Sequence, residues 1–261
     1  MSGKIGIVLG GGGGKGAYQV GVWKALSSLG LCGWIQGVSG ASVGALNGAM
    51  FCAGDLDRAI AAWGGIREGM ILTRKGAAYD GWFSNAGLQE MIRLYVDLSA
   101  VRNSETVFYA VASRVKKPEM ITHMFPRFAT ARYFNVRDFD EAAIHDILLA
   151  SAAIPLVFPS IRIDGNVYVD GGLKDNNPIL PLCRDGFRSV IVVSLDAHFT
   201  VPAQQFPGVR FLNLSLNESS ELKSFEDTFD FTARGAESRM RLGFEACIAI
   251  GDKIIDFVRK S

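Results

Sequence analysis

Five consecutive glycines, residues 10–14, follow a short apolar segment at residues 4–9, Lys-Ile-Gly-Ile-Val-Leu. Such a run costs more conformational entropy than a tight turn requires, which indicates that the backbone here needs freedom that side chains would remove. The β-branched residues before the glycines predict a buried parallel strand, and the spacing of Val20, Trp23 and Leu26 predicts a helix over residues 15–29. A strand, a glycine turn and a helix in this order are typical of an α/β fold.

The alternation of strands and helices continues along the chain. A strand near residues 34–38 is followed by a sharp turn and a helix over residues 43–53. Asp138 and Glu141 make a capping-box-like start for a helix that ends near Ala153. Further helices are predicted over 55–63, over 88–96 and from Thr232 onward, and further strands over 106–115, 161–163, 167–169, 188–195 and 209–214. We therefore expect one domain over residues 1–261, a three-layer α/β/α fold with a central, mostly parallel sheet.

Composition excludes several classes of protein. The 27 lysines and arginines balance 26 aspartates and glutamates, so the chain lacks the basic excess that binding to nucleic acid requires. No apolar run is long enough to cross a membrane, and residues 5–9 are too short for the core of a signal peptide, so we expect a cytoplasmic protein. Four cysteines without CxxC spacing predict buried thiols and no metal or redox site: Cys32, Cys52, Cys183 and Cys247.

The segment Gly40-Ala41-Ser42-Val43-Gly44 matches the pattern G-x-S-x-G between a predicted strand and a predicted helix. This is the context of a nucleophile elbow, in which the two glycines allow a strained turn that lifts the serine hydroxyl into the open. Ser42 would then be the nucleophile, and the backbone N–H of Val43 would be one donor to an oxyanion.

The glycine loop that follows the first strand allows three interpretations. It formally matches the dinucleotide-binding pattern G-x-G-x-x-G at Gly11, Gly13 and Gly16, but the next acidic residue, Asp55, comes too late for the ribose contact. A Walker A loop requires Ser or Thr where Gly16 stands. The third interpretation is an oxyanion hole, because glycines leave backbone N–H groups free to face a developing negative charge beside a helix N-terminus.

A serine nucleophile requires a base within hydrogen-bond reach, and the chain has three histidines. His198 follows the predicted strand 188–195, and the order Ser42, Asp170, His198 is that of an α/β-hydrolase triad. His123 lies in a predicted strand around residues 122–124, and His145 lies inside the helix that ends near Ala153. Neither belongs to a motif, so a structural or surface role is the favoured interpretation for both. However, an elbow after only the second strand is early for an α/β-hydrolase.

Asp170 ends an alternating strand and is followed by Gly171 and Gly172. An Asp-Gly pair often marks a hairpin turn, but Asp164 and Gly165 already supply the turn of this hairpin. The two glycines after Asp170 therefore indicate a sharp turn that brings another group close to its carboxylate.

Together these motifs resemble the patatin-like phospholipase family. The family's G-G-G-x-[K/R]-G loop corresponds to residues 11–16, its elbow to residues 40–44 and its D-G-G motif to residues 170–172. Residues 150–159 and 175–178 are similar to the family's stretches before and after the acid. Order and spacing agree over about residues 4–195, and the last part of the chain carries no motif of the family.

The resemblance implies the patatin-like form of this fold and a serine lipid acyl hydrolase that uses no cofactor and no metal. Ser42 and Asp170 would form a dyad without a histidine, cleaving carboxylic esters of lipids or phospholipids in transient contact with a membrane or micelle. The implied oxyanion hole comprises Gly11, Gly12, Gly13, Gly14 and Val43, and the implied supporting residues are Lys15, Gly16, Gly40, Gly44, Gly171 and Gly172.

Two requirements follow for such a site. An aspartate with the ordinary pKa of about 3.9 is a weak base at neutral pH, so burial has to raise the pKa of Asp170. An acyl chain needs an apolar channel, for which residues 154–158 (Ile-Pro-Leu-Val-Phe) and Trp82-Phe83 are candidates. For Met50-Phe51 we favour ordinary core. The alternatives are an α/β-hydrolase-type esterase that uses His198 and a non-catalytic dinucleotide-binding module.

Overall fold

The computed structural model describes residues 4–66, 69–72, 82–116, 126–216 and 226–261. Its strands are β1 (Ile5–Leu9), β2 (Ile35–Ala41), β3 (Val107–Val115), β4 (Ala129–Asn135), β5 (Ile161–Ile163), β6 (Asn166–Asp170), β7 (Ser189–Val193) and β8 (Arg210–Asn213). Its helices are α1 (Ala17–Ser28), α2 (Val43–Ala53), α3 (Leu56–Gly64), α4 (Ala86–Tyr95), α5 (Leu98–Asn103), α6 (Glu141–Ser151), α7 (Leu180–Arg184), α8 (Ala233–Ile248) and α9 (Gly251–Arg259).

The strands form one sheet in the order β5-β6-β3-β2-β1-β7-β8, with β4 paired to the other edge of β3. Neighbours from β3 through β2, β1 and β7 to β8 are parallel. The pairs β3–β4, β3–β6 and β5–β6 are antiparallel. The segments IGIVL of β1 and SVIVV of β7 are buried along their whole length, as parallel strands covered on both faces are.

Both faces of the sheet are covered, so the molecule has three layers. Along β1, Ile7 and Leu9 face the larger apolar core, to which α1, α2 and α6 contribute. Val8 points to the opposite face and packs in a smaller core with Leu182 and Phe187, in and after α7. This alternation is the one that a strand imposes. The predicted three-layer fold with its mostly parallel sheet is confirmed.

Two strands end against each other along one edge of β3. β2 pairs with β3 in parallel as far as Ala41, which lies opposite Val111. β6 pairs with the next part of β3 in the antiparallel direction and ends at Asp170, opposite Ala112. β4 occupies the other edge of β3 along both stretches, so β2 and β6 share an edge. Their carboxyl ends therefore converge, and the residue after Ala41 lies beside Asp170.

Most predicted elements are present, with shifted ends. The helix expected from residue 138 begins at Glu141, because the side chain of Asp140 caps it by accepting the N–H of Ala143 (2.8 Å). The predicted C-terminal helix is divided into α8 and α9. β4 was not predicted, since it exposes alternate residues, including polar ones. The strand expected around His123 lies outside the described residues.

Two of the four cysteines, Cys52 and Cys247, are buried as predicted, whereas Cys32 and Cys183 are half-buried. None of the helices within the described residues has the length and apolar character needed to span a membrane.

Candidate active site

Ser42 lies between the end of β2 and the start of α2, with φ of 55° and ψ of −130°. Residues with side chains rarely adopt this conformation, so the turn is strained. Its glycines make the turn possible, because a Cβ at Gly40 would strike the carbonyl oxygen of Gly44 and a Cβ at Gly44 would strike that of Leu9. The sharp strand-to-helix turn expected from G-x-S-x-G is therefore present.

A buried serine on α6 holds the backbone of this turn. The N–H of Ser42 donates to Oγ of Ser151 (3.0 Å), and that hydroxyl donates to the carbonyl oxygen of Val111 on β3 (2.6 Å). Ser151 is completely buried, so water does not compete for these bonds. Ser151 was not singled out from the sequence, because its role depends on contacts with residues far away along the chain.

Asp170 is fixed at the end of β6 by its own backbone and by the turn that follows. Its N–H donates to the carbonyl oxygen of Ala153 (2.8 Å), and its Oδ1 accepts the N–H of Gly172 (2.7 Å). A Cβ at Gly172 would lie 2.9 Å from that Oδ1, and one at Gly171 would strike the carbonyl oxygen of Val111. The glycines after Asp170 thus allow the backbone to come close to its carboxylate, as the sequence predicted.

The carboxyl group of Asp170 is buried beside Ser42. Burial raises its pKa to about 6, although the Ser42 hydroxyl and the N–H of Gly172 act in the opposite direction. The contact with Ser42 is loose, because Oδ2 accepts no well-formed hydrogen bond from the described residues. Hydrogen bonds of this kind are often long before substrate binds and tighten in the complex. The expected increase in the pKa of this carboxyl is present.

The glycine loop lies directly against Ser42. A Cβ at Gly11 would lie 2.9 Å from Cβ of Ser42, so a side chain there would displace one of the two. The N–H of Gly11 donates to the carbonyl oxygen of Asn176 (3.1 Å), and the side-chain amide of Asn176 donates back to the Gly11 carbonyl (3.3 Å). Gly11 therefore joins the loop to the turn after Asp170, and its N–H is already used.

The next three glycines begin the short helical turn Gly13–Gly16. The N–H groups of Gly12, Gly13 and Gly14 make no hydrogen bond within the described part of the chain, and neither does the N–H of Val43 at the start of α2. Two helical N-termini with unpaired N–H groups thus lie beside Ser42, an arrangement that favours negative charge. Gly16 lets the glycine loop and the start of α2 lie close together, because a Cβ at this position would lie only 2.5 Å from the side chain of Val43.

A buried amide network holds both ends of the loop. Nε2 of Gln19 donates to the carbonyl oxygen of Gly10 (2.7 Å), and Nδ2 of Asn47 donates to that of Gly16 (2.9 Å) and to Gln19 (2.9 Å). The indole N–H of Trp63 donates to Oδ1 of Asn47 (3.0 Å). This network belongs to no sequence motif, so the sequence alone gave no reason to select it.

The described histidines lie elsewhere. His198 lines a cleft beside the glycine loop together with Gly11, Gly12 and Lys15, and its backbone N–H donates to Asp196 (3.0 Å). His145 lies on α6, where Nδ1 contacts the neighbouring Asp146 (3.1 Å). The groups that lower the pKa of the Asp170 carboxyl are Ser42 and Gly172, neither of which is a histidine. His123 is outside the described residues.

An apolar cavity of about 60 Å³ begins at Val43, next to Ser42, and lies between α2, α3 and α4. Met50 and Phe51 are buried in the larger core, as predicted, and Met50 also lines this cavity. The segment 154–158 does not line this cavity; it instead pairs with the other candidate segment, through Trp82 N–H to Leu156 O (2.9 Å) and Phe83 N–H to Val157 O (2.9 Å). The residues that line the cavity include Val43, Leu46, Trp63, Met91, Ile92 and Phe231.

Comparison with known proteins gives consistent matches. The family model described as patatin-like phospholipase matches residues 7–182. Lysophospholipase NTE1 of Cryptococcus neoformans var. neoformans is 28% identical over 202 residues, which are 74% of this chain and 11% of that protein. An uncharacterized NTE family protein of Mycobacterium tuberculosis is 27% identical over 228 residues, 84% of this chain and 57% of that protein.

This chain thus spans between about a tenth and just over half the length of these relatives. Among solved structures, the crystal structure of VipD from Legionella pneumophila is matched with a TM-score of 0.42 and 14% identity. The match covers 94% of this chain and 67% of that one.

Proposed function

This chain belongs to the patatin-like phospholipase family, and from that premise we propose that it hydrolyses carboxylic esters of lipids through a dyad of Ser42 and Asp170. One observation carries the proposal. A serine on a strained turn lies beside a buried carboxyl whose pKa burial raises to about 6. A carboxylate with this pKa is ionised at neutral pH and is a better base than an ordinary aspartate, which suits general-base catalysis.

In the first half of the reaction, Oγ of Ser42 attacks the ester carbonyl carbon while Asp170 accepts the hydroxyl proton. The carbonyl oxygen becomes an oxyanion. When the tetrahedral intermediate collapses, the carbon–oxygen bond to the alcohol breaks and Asp170 returns the proton to the departing oxygen. The acyl group is then esterified to Ser42, as in other serine hydrolases.

In the second half, Asp170 accepts a proton from water, and the water oxygen attacks the acyl-enzyme carbonyl. Collapse of the second intermediate breaks the bond to Ser42 and returns the proton to its Oγ. The fatty acid leaves, and the protein is restored without a metal or cofactor taking part in any step.

We assign the oxyanion donors to the N–H groups of Gly12, Gly13, Gly14 and Val43. They start two helical turns beside Ser42, where the helix dipoles add to the hydrogen bonds. Gly11 contributes differently from the others: its N–H is bonded to Asn176, and its missing side chain lets the loop approach Ser42. We assign Lys15 a supporting role, because it lines the cleft beside the glycine loop together with Gly11 and Gly12.

The apolar cavity that starts at Val43, the residue after Ser42, supports a lipid substrate. Its lining is almost entirely aliphatic, aromatic and thioether, the surface that an acyl chain fits. The relative named lysophospholipase is consistent with phospholipid or lysophospholipid esters as the substrate class. We therefore expect long-chain esters to be hydrolysed faster than acetate esters.

The test is an ester panel combined with fluorophosphonate labelling on four variants. Ser42→Ala should lose both hydrolysis and labelling, and Asp170→Asn should lose nearly all turnover because an amide cannot accept the proton. His198→Ala should keep wild-type turnover, with His145→Ala as its matched control. Circular dichroism checks that each variant is folded. Labelling of Ser42→Ala at another serine would contradict the assignment.

A triad that includes His198 is the second candidate, and one observation favours it: His198 lines the cleft beside Gly11 and Gly12. A folded but inactive His198→Ala variant would establish this alternative over the dyad. A purified protein that retains NAD or ATP and is not labelled would instead favour the dinucleotide-binding module.

A further inference from the structure

A buried arginine on α8 reaches the glycine loop from a part of the chain beyond the residues that the family model matches. The side chain of Arg239 is 2% exposed. Its Nη1 donates to the carbonyl oxygens of Gly14 (3.3 Å) and Asp230 (2.8 Å), and its Nη2 donates to Oδ2 of Asp230 (2.5 Å). The guanidinium also lies 3.6 Å from Oδ1 of Asp227. One planar group therefore connects the loop, the turn before α8 and α8 itself.

The turn that Arg239 holds presses against the glycine loop. A Cβ at Gly13 would strike the carbonyl oxygen of Thr228, and a Cβ at Gly14 would strike that of Asp230. Main chain lies against main chain, so the residues 227–230 occupy the space that side chains of the loop would need. A displacement of this turn would let the loop move, because the loop has no side chains of its own to fix it.

Arg239 is itself held in place by close contact between α8 and α1. A Cβ at Gly21 would strike the carbonyl oxygen of Met240, and a Cβ at Gly243 would strike that of Tyr18. The two helices therefore touch through their backbones. α1 follows directly from the glycine loop, so these contacts fix the part of α8 that follows Arg239 relative to the loop.

The charges of this cluster indicate a geometric role. The carboxylates of Asp230 and Asp227 lie against the one guanidinium, so its positive charge faces these two side chains and not the reacting carbonyl. A buried guanidinium is costly to desolvate, and buried ion pairs are often neutral for stability compared with apolar side chains. What the guanidinium provides is a fork of fixed geometry that binds several acceptors at once.

We propose that Arg239 is a positioning residue for the oxyanion hole, holding the Gly14 carbonyl and the 227–230 turn so that the loop N–H groups stay directed at the reacting carbonyl. The proposal rests on the proposed function of the loop. The proposal gives α8 the task of positioning the oxyanion hole, although α8 carries no motif of the family. A misplacement of about 1 Å in such a site costs on the order of 10²-fold in rate.

The decisive variant is Arg239→Lys, which keeps the charge but replaces the planar fork of two Nη nitrogens by one nitrogen. It cannot keep both the Nη1 bonds to the Gly14 and Asp230 carbonyls and the Nη2 bond to the Asp230 carboxylate in their present geometry. We expect kcat for ester hydrolysis to fall about tenfold to a hundredfold while KM changes little, since donors of this type act on the transition state. Arg241→Lys is the matched control, because Arg241 is exposed two residues further along the same helix and should keep wild-type kinetics.

A double-mutant cycle separates positioning from a general loss of stability. If Arg239 acts through the loop, Arg239→Lys and Gly12→Ala should be non-additive, so that the double variant loses less than the product of the two single losses. Asp230→Asn weakens the same clamp from its other side and should lower kcat in the same direction. It also serves as the readout if Arg239→Lys does not fold.

Wild-type kcat in folded Arg239→Lys and Asp230→Asn variants would overturn the proposal. So would strictly additive losses in the cycle, which indicate a structural role only. Wild-type protein and Ser42→Ala are measured in the same assay. If wild-type protein shows no Ser42-dependent hydrolysis, the proposed function and this inference both fail; if it does, the Arg239 result stands by itself.

Discussion

The two oxygens of the Asp170 carboxyl have different surroundings. Oδ1 accepts the N–H of Gly172 (2.7 Å), whereas Oδ2 is buried without a well-formed bond from the described residues. Desolvation therefore outweighs the hydrogen bonds and raises the pKa to about 6. An ordinary histidine has a pKa of about 6.5, so a pH profile alone does not distinguish an aspartate base from a histidine base.

We expect the acid limb of kcat/KM at about pH 6, because protonated Asp170 cannot accept the Ser42 proton. In Ser42→Ala the hydroxyl that lowers the pKa of Asp170 is absent, so that pKa should rise above its wild-type value. Carbon NMR of labelled aspartate, in both proteins across a pH series, measures this directly. An unchanged pKa in Ser42→Ala would show that the two side chains do not interact.

Ser42 and Asp170 were selected as candidates from the sequence because glycines flank each of them, and backbone contacts at Gly40, Gly44 and Gly171 require those glycines. Ser151 and Asn176 lie in the stretches 150–159 and 175–178 that resemble the family, but their contacts and those of Arg239 were not predicted, since each side chain hydrogen-bonds residues distant in the chain. No local pattern of residues marks a contact of that kind.

Among the elements, the glycine loop is the one whose shape depends most on what surrounds it. Leu195, Thr228 and Asp230 contact its glycines where side chains would begin, and Asn176 binds its first N–H. The loop therefore tolerates no added bulk, even at Gly12, whose backbone is extended and open to any residue.

Gly12→Val should lower kcat by roughly 10²-fold and raise KM much less, because an oxyanion donor stabilises the transition state more than the bound substrate. The Cβ at this position would lie 2.7 Å from Leu195, so the loop has to shift. Gly33→Val is the control, since nothing lies within 4 Å of a Cβ at Gly33. Steady-state kinetics with a long-chain ester measure kcat and KM of both variants. Equal losses of kcat in Gly12→Val and Gly33→Val would contradict a specific role for the loop.

Most strands and helices followed from periodicity because the central strands are apolar throughout and the helices have clear caps, as at Asp55 and Asp140. β4, α5 and α7 did not follow. β4 exposes one side and carries polar residues, whereas α5 has six residues and α7 five, too few for a helical period to be visible.

For the whole molecule, a buried carboxyl with a raised pKa reduces stability at neutral pH. The unfolded chain releases this proton near pH 3.9, whereas the folded protein keeps it until about pH 6. Between these values the folded state binds more protons, so the free energy of unfolding falls as the pH rises, by roughly 3 kcal/mol in total. Above about pH 6 this contribution is constant.

Asp170→Asn lacks this titration, so its free energy of unfolding relative to wild type should increase between pH 4 and 6.5 and then level off. Urea unfolding of both proteins at a series of pH values measures the difference. Parallel pH profiles for the two proteins would show that Asp170 keeps an ordinary pKa when folded. An inactive variant that is more stable at neutral pH is the expected trade-off for the buried acid of the proposed dyad.

The convergence of β2 and β6 on Val111 also has a consequence for how the protein folds. Ser42 and Asp170 come from distant parts of the chain, and they meet only after β3 has paired with both strands along one edge. Contacts between such distant segments form late, because closing the long loops between them costs entropy before any contact compensates for it. A strained turn at Ser42 has no support until then. Catalytic competence should therefore appear in the final, cooperative phase of refolding, after the local helices have formed, and partly folded chains should be unable to hydrolyse lipid.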